Sequence, residues 1–471
     1  MQERTPDQVW AAAGIAWVLC TAAFLTLDPD PNPLLAISAG LNAAILVWGG
    51  CKCYELRILL SPVGQMLTGP GLIFYYSIGN LGARIAGDSR LAANPGSLDY
   101  YPLVSALCTA GMLIFCLVAF LMMPRYLSEP RLRYESLEWS WWQGIVATIL
   151  AGAVLFYLSG RYAFVNGYFQ GVAGQLDIWL SASVYYFLLL AVIVNTSVLA
   201  RAVNPFHRVL AEVCLAAVIG QSILLRSRTF MSVTILVSLF AYLTIRPRRL
   251  HRAAALAAGG IAVVFALGTV VKTASGASAS ILDNLAALRT SRAEQIRDMN
   301  DSSSNVDRQY RLAGFEMPAA LLACLDRGAS PMFGEGMTNG LLQGLPNFLR
   351  PAGEYSERQA IANHFRSAGL RYGDSIGVQL TSGLADWGLP GILIYALMAV
   401  YAVALWRVCQ WSPRLLTALL MTGNGMYFYD LFWENNVLFA IRTIGFSWVV
   451  LLVLGPLLAP KVVDPLSPET V

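Results

Sequence analysis

Apolar residues in this chain gather into runs of roughly 18–23, and that pattern narrows the possible folds more than any other feature. A helix of about 20 such residues crosses a hydrocarbon core of ~30 Å. The connections between most runs are short, so lipid is the solvent that these faces require. Composition agrees. Hydrophobic residues make up 56% of 471 and charged residues only 13%, where a soluble domain carries about a quarter. The expected fold class is therefore an all-α polytopic membrane protein of about twelve transmembrane helices, with one large, partly helical extracytoplasmic loop.

Spans are expected near 8–27, 34–50, 59–82, 101–123, 143–160, 179–200, 208–225, 229–245, 253–271, 389–408, 414–430 and 437–459. In the third, Pro62, Gly64, Gly69, Pro70 and Gly71 are able to kink the helix. The first run lacks a basic leader and a small-residue cleavage site, so it reads as a retained helix. Lys and Arg in short loops set orientation. Fifteen fall on one side, from Arg4 through Lys52, Arg133, Arg201 and Arg246 to Lys461, and five on the other: Arg84, Arg90, Arg161, Arg226 and Arg228. Both termini are thus expected in the cytoplasm, and 272–388 outside. This divides the chain into an N-terminal transmembrane bundle (1–271), a loop subdomain (272–388) and C-terminal transmembrane helices (389–471).

The net charge of +4 gives no basis for a nucleic-acid partner. The Cys51-Lys52-Cys53 pair flanks a short basic loop and has neither the spacing nor the partners of a zinc site, and Cys324 alone falls in the large loop, so no disulfide is expected there. Within the loop, 287–307 is polar. A helix is expected from about Arg308 to Leu325, followed by the Phe333-Gly-Glu-Gly336 turn, an irregular stretch with Pro346 and Pro351, and an amphipathic segment from Tyr355 to about Ala368.

Several residues offer chemistry. Arg226 and Arg228 sit at the outer junction of two apolar runs, against the charge bias. A guanidinium fork suits phosphate oxygens, while the alternative is snorkelling to lipid headgroups. Arg308 and Arg311 share a helix face and either bind an anion or pair with Asp307 or Glu316. Lys272 and Arg442, near outer helix ends, extend such a cationic region or meet headgroups. His364 is the one histidine outside the basic loops, a general-base candidate or a structural residue. Asp374 stands at the membrane lip, as a base with a raised pKa or as a helix N-cap. Glu335, between two glycines, is a substrate-binding candidate or turn chemistry. The Asp28-Pro-Asp30 pair is better explained as a tight turn than as a metal site, and no metal or other cofactor is expected.

The pattern resembles the Wzy-type polymerases of O-antigen and exopolysaccharide, GT-C-like relatives of the O-antigen ligases. Leu224-Leu-Arg-Ser-Arg228-Thr-Phe is similar to that family's Ser-Arg turn. Arg308 to Leu325 running into Pro331-Met-Phe-Gly-Glu-Gly336 resembles its loop helix and Gly-x-Gly turn, and Leu345-Pro-Asn-Phe-Leu-Arg-Pro351 its Pro-containing segment. Gly373-Asp-Ser-Ile376 through Asp386-Trp-Gly-Leu-Pro-Gly391 resembles the entry to the next membrane helix. Where ligases show a His-Asn pair, Asp374-Ser375 stands here, which favours polymerase.

The resemblance implies metal-independent, inverting glycosyl transfer at the outer face of a bacterial inner membrane. Donor and acceptor would be undecaprenyl-diphosphate-linked oligosaccharides, and a chain-length regulator a possible partner protein. Arg226, Arg228 and Arg308 or Arg311 would hold the diphosphate, and Asp374 or His364 would accept the acceptor's proton. The competing expectations are an O-antigen ligase and a flippase for the lipid-linked sugar. A transporter would concentrate polar groups at the midplane and show internal repeats, neither of which is evident in the sequence.

Overall fold

The computed structural model describes residues 6–28, 30–68, 76, 81, 96–123, 132–162, 164–165, 168–169, 172, 175–224, 228–246, 314–345, 349–353, 355–370, 378–422, 455 and 457–463. The long helices are α1 (Pro6–Leu27), α2 (Pro33–Glu55), α4 (Tyr101–Met122), α5 (Trp141–Ser159), α6 (Gln175–Arg201), α7 (Pro205–Leu224), α8 (Arg228–Ile245) and α13 (Ile394–Cys409). Shorter helices are α3 (Pro62–Thr68), α9 (Glu316–Asp326), α10 (Glu335–Gly344), α11 (Glu357–Arg366), α12 (Leu380–Trp387) and α14 (Pro413–Thr422). Among the described residues six helices are long and apolar enough to cross a membrane.

These helices expose apolar faces and pack around a largely apolar core that encloses a few polar side chains. Leu113, Leu117 and Leu121 stand exposed at four-residue spacing on α4, as a lipid-facing stripe requires. Inside, Asn42 donates to the Tyr76 carbonyl at 3.1 Å and Gln65 to the Leu60 carbonyl at 2.8 Å. Asn195 on α6 donates to Ala191 O at 2.8 Å and to Thr148 Oγ1 on α5 at 2.9 Å. Without water, a polar group must find its partner within the bundle.

The contacts sort the helix ends into two groups. At one end, buried Glu135 lies 3.6 Å from Arg57 Nη1 and 3.7 Å from Arg133 Nη1, and Arg201 donates to its backbone carbonyl. Arg246 Nε donates to Ala200 O at 2.9 Å. At the same end strand β1 (Leu137–Glu138) pairs antiparallel with β4 (Lys461–Val462), and Trp139 Nε1 donates to Leu458 O at 3.0 Å. The opposite end holds Asp28 and Asn32, the start of α4, the end of α5 and the described residues between 314 and 388. α2 and α4 run parallel between the ends, Thr109 donating to Ser38 O at 3.2 Å. Tyr100 Oη donates to Asp326 Oδ2 at 2.7 Å, fastening α9 beside the start of α4. Of the basic residues expected on one face, the described Arg57, Arg133, Arg201, Arg246 and Lys461 therefore do cluster together.

Four details differ from the sequence reading. α2 continues to Glu55, so Cys51 and Cys53 lie inside a helix and not beside a loop. The loop helix α9 begins at Glu316 after a turn at 314–315, and residues 308–313 of the expected helix lie outside the described residues. Pro318 suits this start: in a helix interior its ring would clash with the carbonyl four residues back, but in a first turn it is tolerated. The stretch after the Gly-rich turn, expected to be irregular, is α10 from Glu335 to Gly344. The α5–α6 connection contains a hairpin, β2 (Phe164–Val165) with β3 (Tyr168–Phe169), whose intervening Asn-Gly dipeptide is a strong hairpin signal. Asp28 forms a tight turn, as expected: its carboxylate accepts Asp30 N–H at 3.0 Å, and Asn32 caps α2 by accepting from Leu34 and Leu35 N–H.

Candidate functional site

The described chemistry outside the membrane spans centres on α10, α11 and α12. The turn preceding α10 rests on the end of α12, with Met332 N–H donating to Ala385 O at 2.9 Å and Phe333 N–H to Asp386 O at 2.8 Å. Gly334, at φ 92°, opens α10 and has no side chain to cap it. The cap comes instead from Asp386. Its carboxylate accepts Gly336 N–H at 2.8 Å and Met337 N–H at 2.7 Å, taking two of the free donors of a helix start and placing its charge at the positive end of the dipole. Asp386 is fully buried. Burial raises its pKa, the two N–H groups oppose that, Glu335 adds to the rise and His364 counters it.

Glu357, the first residue of α11, is only 5% exposed. Ser382 Oγ of α12 donates to its Oε1 at 2.6 Å, and its Oε2 faces Gly340 of α10 so closely that an ideal Cβ there would stand 2.8 Å away. Burial pushes its pKa up to about 7; the Ser382 bond restrains the rise and Asp386 adds to it. Arg350 closes the other end of α10, donating to Gln343 O at 2.7 Å and Leu345 O at 2.8 Å. Two buried acids, a serine and three glycine or backbone contacts thus bind three short helices into one unit.

Of the residues expected to act, two lie in this unit. His364 is half-buried on α11, its Nε2 2.8 Å from Ser330 O. A carbonyl only accepts, so Nε2 carries a hydrogen. Glu335 is exposed at the start of α10, so it is a helix residue and not a turn residue. Both bear on Asp386, one lowering and one raising its pKa. Arg228 is the first residue of α8. The last turn of α8 meets Ala200 at the basic end, so an 18-residue helix, about 27 Å long, puts the Arg228 backbone at the end where the loop subdomain sits. Arg226, Lys272, Arg308, Arg311, Asp374 and Arg442 lie outside the described residues. At the same end Arg161 stacks over the Tyr157 ring at 4.3 Å and lies 3.7 Å from Asp177, which also accepts hydrogen bonds from Tyr157 and Tyr162.

Sequence reasoning missed Glu357 and used Asp386 only as part of a helix entry. An acid in the apolar context Leu384-Ala-Asp-Trp387 at a membrane lip was a usable signal. Glu357 had none, since an acid directly after the Ser356 cap normally faces water. Among the described residues no three His, Cys, Asp or Glu side chains converge as metal ligands. No protein-family model matches the chain, no curated protein matches it, and no solved structure matches it.

Proposed function

We propose that this chain is a membrane glycosyltransferase that polymerises lipid-linked oligosaccharide repeats. In this reading twelve spans leave both termini in the cytoplasm and the 272–388 loop on the outer face of a bacterial inner membrane. Donor and acceptor are oligosaccharides on undecaprenyl diphosphate, and Arg226, Arg228 and Arg308 or Arg311 hold the diphosphate. The acceptor hydroxyl attacks the anomeric carbon with inversion, the glycosidic bond to phosphate breaks, and the hydroxyl proton passes to His364 or Asp374. Preorganised guanidiniums stabilise the charge that develops on the departing diphosphate, more in the transition state than in the ground state.

One observation carries this reading. A three-helix unit containing His364 sits at the helix ends opposite the basic loops, the same end at which α8 begins with Arg228. The twelve-span count is supported by parity. Arg57 and Tyr100 lie at opposite ends, as do Arg246 and Phe315, and each pair favours one further crossing between its members. Arg414 and Gly455 share one end, an ideal Cβ on Gly455 lying 3.7 Å from Arg414 Cδ, which is consistent with an even number of crossings between them.

The test is extension of a defined lipid-linked repeat by purified protein in liposomes. A ladder of lengths is expected, with Arg228→Ala reducing its rate by about 10²-fold or more, the scale of losing a charge-stabilising donor. Absence of a ladder, or a normal ladder from Arg228→Ala at equal protein, overturns the assignment. Transfer of one preformed glycan to a lipid A core and no ladder would mean a ligase.

A further inference from the structure

Phe333 adopts φ 52°, a left-handed conformation that is a true outlier for a bulky side chain, and it is 74% exposed. Two backbone hydrogen bonds onto α12 hold it there. Strain of this kind persists only where the surroundings impose it, and it gathers at places of function. Burial within the subdomain does not account for it, because the ring is turned outward. Beside it stands Trp387, 45% exposed, so near that an ideal Cβ on Gly334 would lie 3.1 Å from its ring.

The neighbouring surface identifies the partner. Two residues beyond Trp387 the chain enters the 389–409 membrane span, whose exposed face runs through Leu389, Leu393 and Leu397 at four-residue spacing. Trp387 is exposed two residues before that stripe begins, and exposed Phe333 is bonded to its neighbour Asp386, so both rings stand where the chain enters the lipid-facing span. A soluble protein seated on them would have to share the stripe with acyl chains. Tryptophan at such a level is the usual marker of a membrane–water interface.

We infer that Phe333 and Trp387 insert together into the interfacial layer of the leaflet that the 389–409 span enters, pinning the α10–α12 unit to the bilayer surface. The occupant is lipid: acyl chains under Phe333, headgroups around the indole. Because Phe333 N–H bonds to Asp386 O, and the Asp386 carboxylate caps α10, this anchor also sets the height of Glu335 and His364 above the membrane.

The experiment places a nitroxide at Phe333→Cys, Trp387→Cys or, as an aqueous control, Arg366→Cys, an exposed position on α11. The full-length protein is reconstituted in phosphatidylethanolamine–phosphatidylglycerol vesicles, and protein without an added cysteine but identically treated corrects for labelling of the partly exposed Cys20 and Cys51. Collisions with oxygen should exceed those with a water-soluble nickel chelate at 333 and 387, and the order should reverse at 366. Nickel-chelate access at 333 and 387 equal to that at 366 overturns the inference. If Phe333→Cys fails to fold, Trp387→Cys decides by the same comparison. No glycan is involved, so failure of the polymerisation assay leaves this result standing, and the reverse holds too.

Discussion

Ser382 Oγ donates to Glu357 Oε1 at 2.6 Å across the α11–α12 interface, both side chains being buried. A carboxyl placed there is held in neutral form more strongly than in water, and its pKa rises from 4.5 to about 7. The folded protein then keeps this proton at pH values where the unfolded chain has released it. Stability is unaffected below about 4.5, falls as pH rises toward 7, and stays low above it. The full drop is roughly 3 kcal/mol. Glu357→Gln, which retains an acceptor for Ser382, should flatten this slope and raise the melting temperature at pH 8 while changing little at pH 4.5. Melting curves across that range in one detergent provide the check, and an unaltered slope would rule the explanation out.

Asp386 supplies the cap that α10 lacks in its own sequence. Asp386→Asn should set an amide N–H₂ against one of the two backbone donors and leave that donor unpaired, at a cost of about 1–3 kcal/mol. Hydrogen exchange is the specific readout: the Gly336 and Met337 amides should lose protection, whereas exposed Glu335→Gln should leave them protected. Equal protection in both variants would show that the cap is dispensable.

Gly383 and Gly391 press backbone on backbone where α12 meets the chain entering α13. An ideal Cβ on Gly391 would lie 1.9 Å from Gly383 O, and one on Gly383 2.2 Å from Gly391 O. No flexible side chain is available to yield, so either alanine should exceed the ~1–3 kcal/mol usual for overpacking and lower the yield of monodisperse protein. Gly220→Ala, on α7 with nothing within 4 Å of the new methyl, should instead gain up to about 1 kcal/mol of helix propensity. Size-exclusion profiles and melting temperatures of the three variants test the contrast.

Asn195 bonds across the α5–α6 interface to Thr148 and to Gly144 O, the latter at 3.3 Å. Interhelical hydrogen bonds within a membrane contribute on average about 0.6 kcal/mol and at most about 1.7. Asn195→Ala should therefore weaken resistance to unfolding by about 1 kcal/mol, and a double-mutant cycle with Thr148→Val should show coupling between the two. Strict additivity in that cycle would contradict the contact.

The membrane class and the grouping of the described basic residues were legible in the sequence because both depend on the chain's exchange with its solvent: long apolar runs require lipid, and charge is partitioned between its two faces. Helix starts carrying their own signal, such as Asn32 before Pro33 and Ser356 before Glu357, were equally local. α10 was not, because Gly334 offers no cap and the carboxylate that stabilises its first turn comes from Asp386, fifty residues further along. The neutral bias of Glu357 was hidden for a related reason. Its sequence context is that of a solvated first turn, and only the packing of α10 and α12 against it removes the water. Solvent preference is summed along the chain, whereas caps, desolvation and the strain at Phe333 are set by groups distant in sequence, so only the tertiary structure decides them.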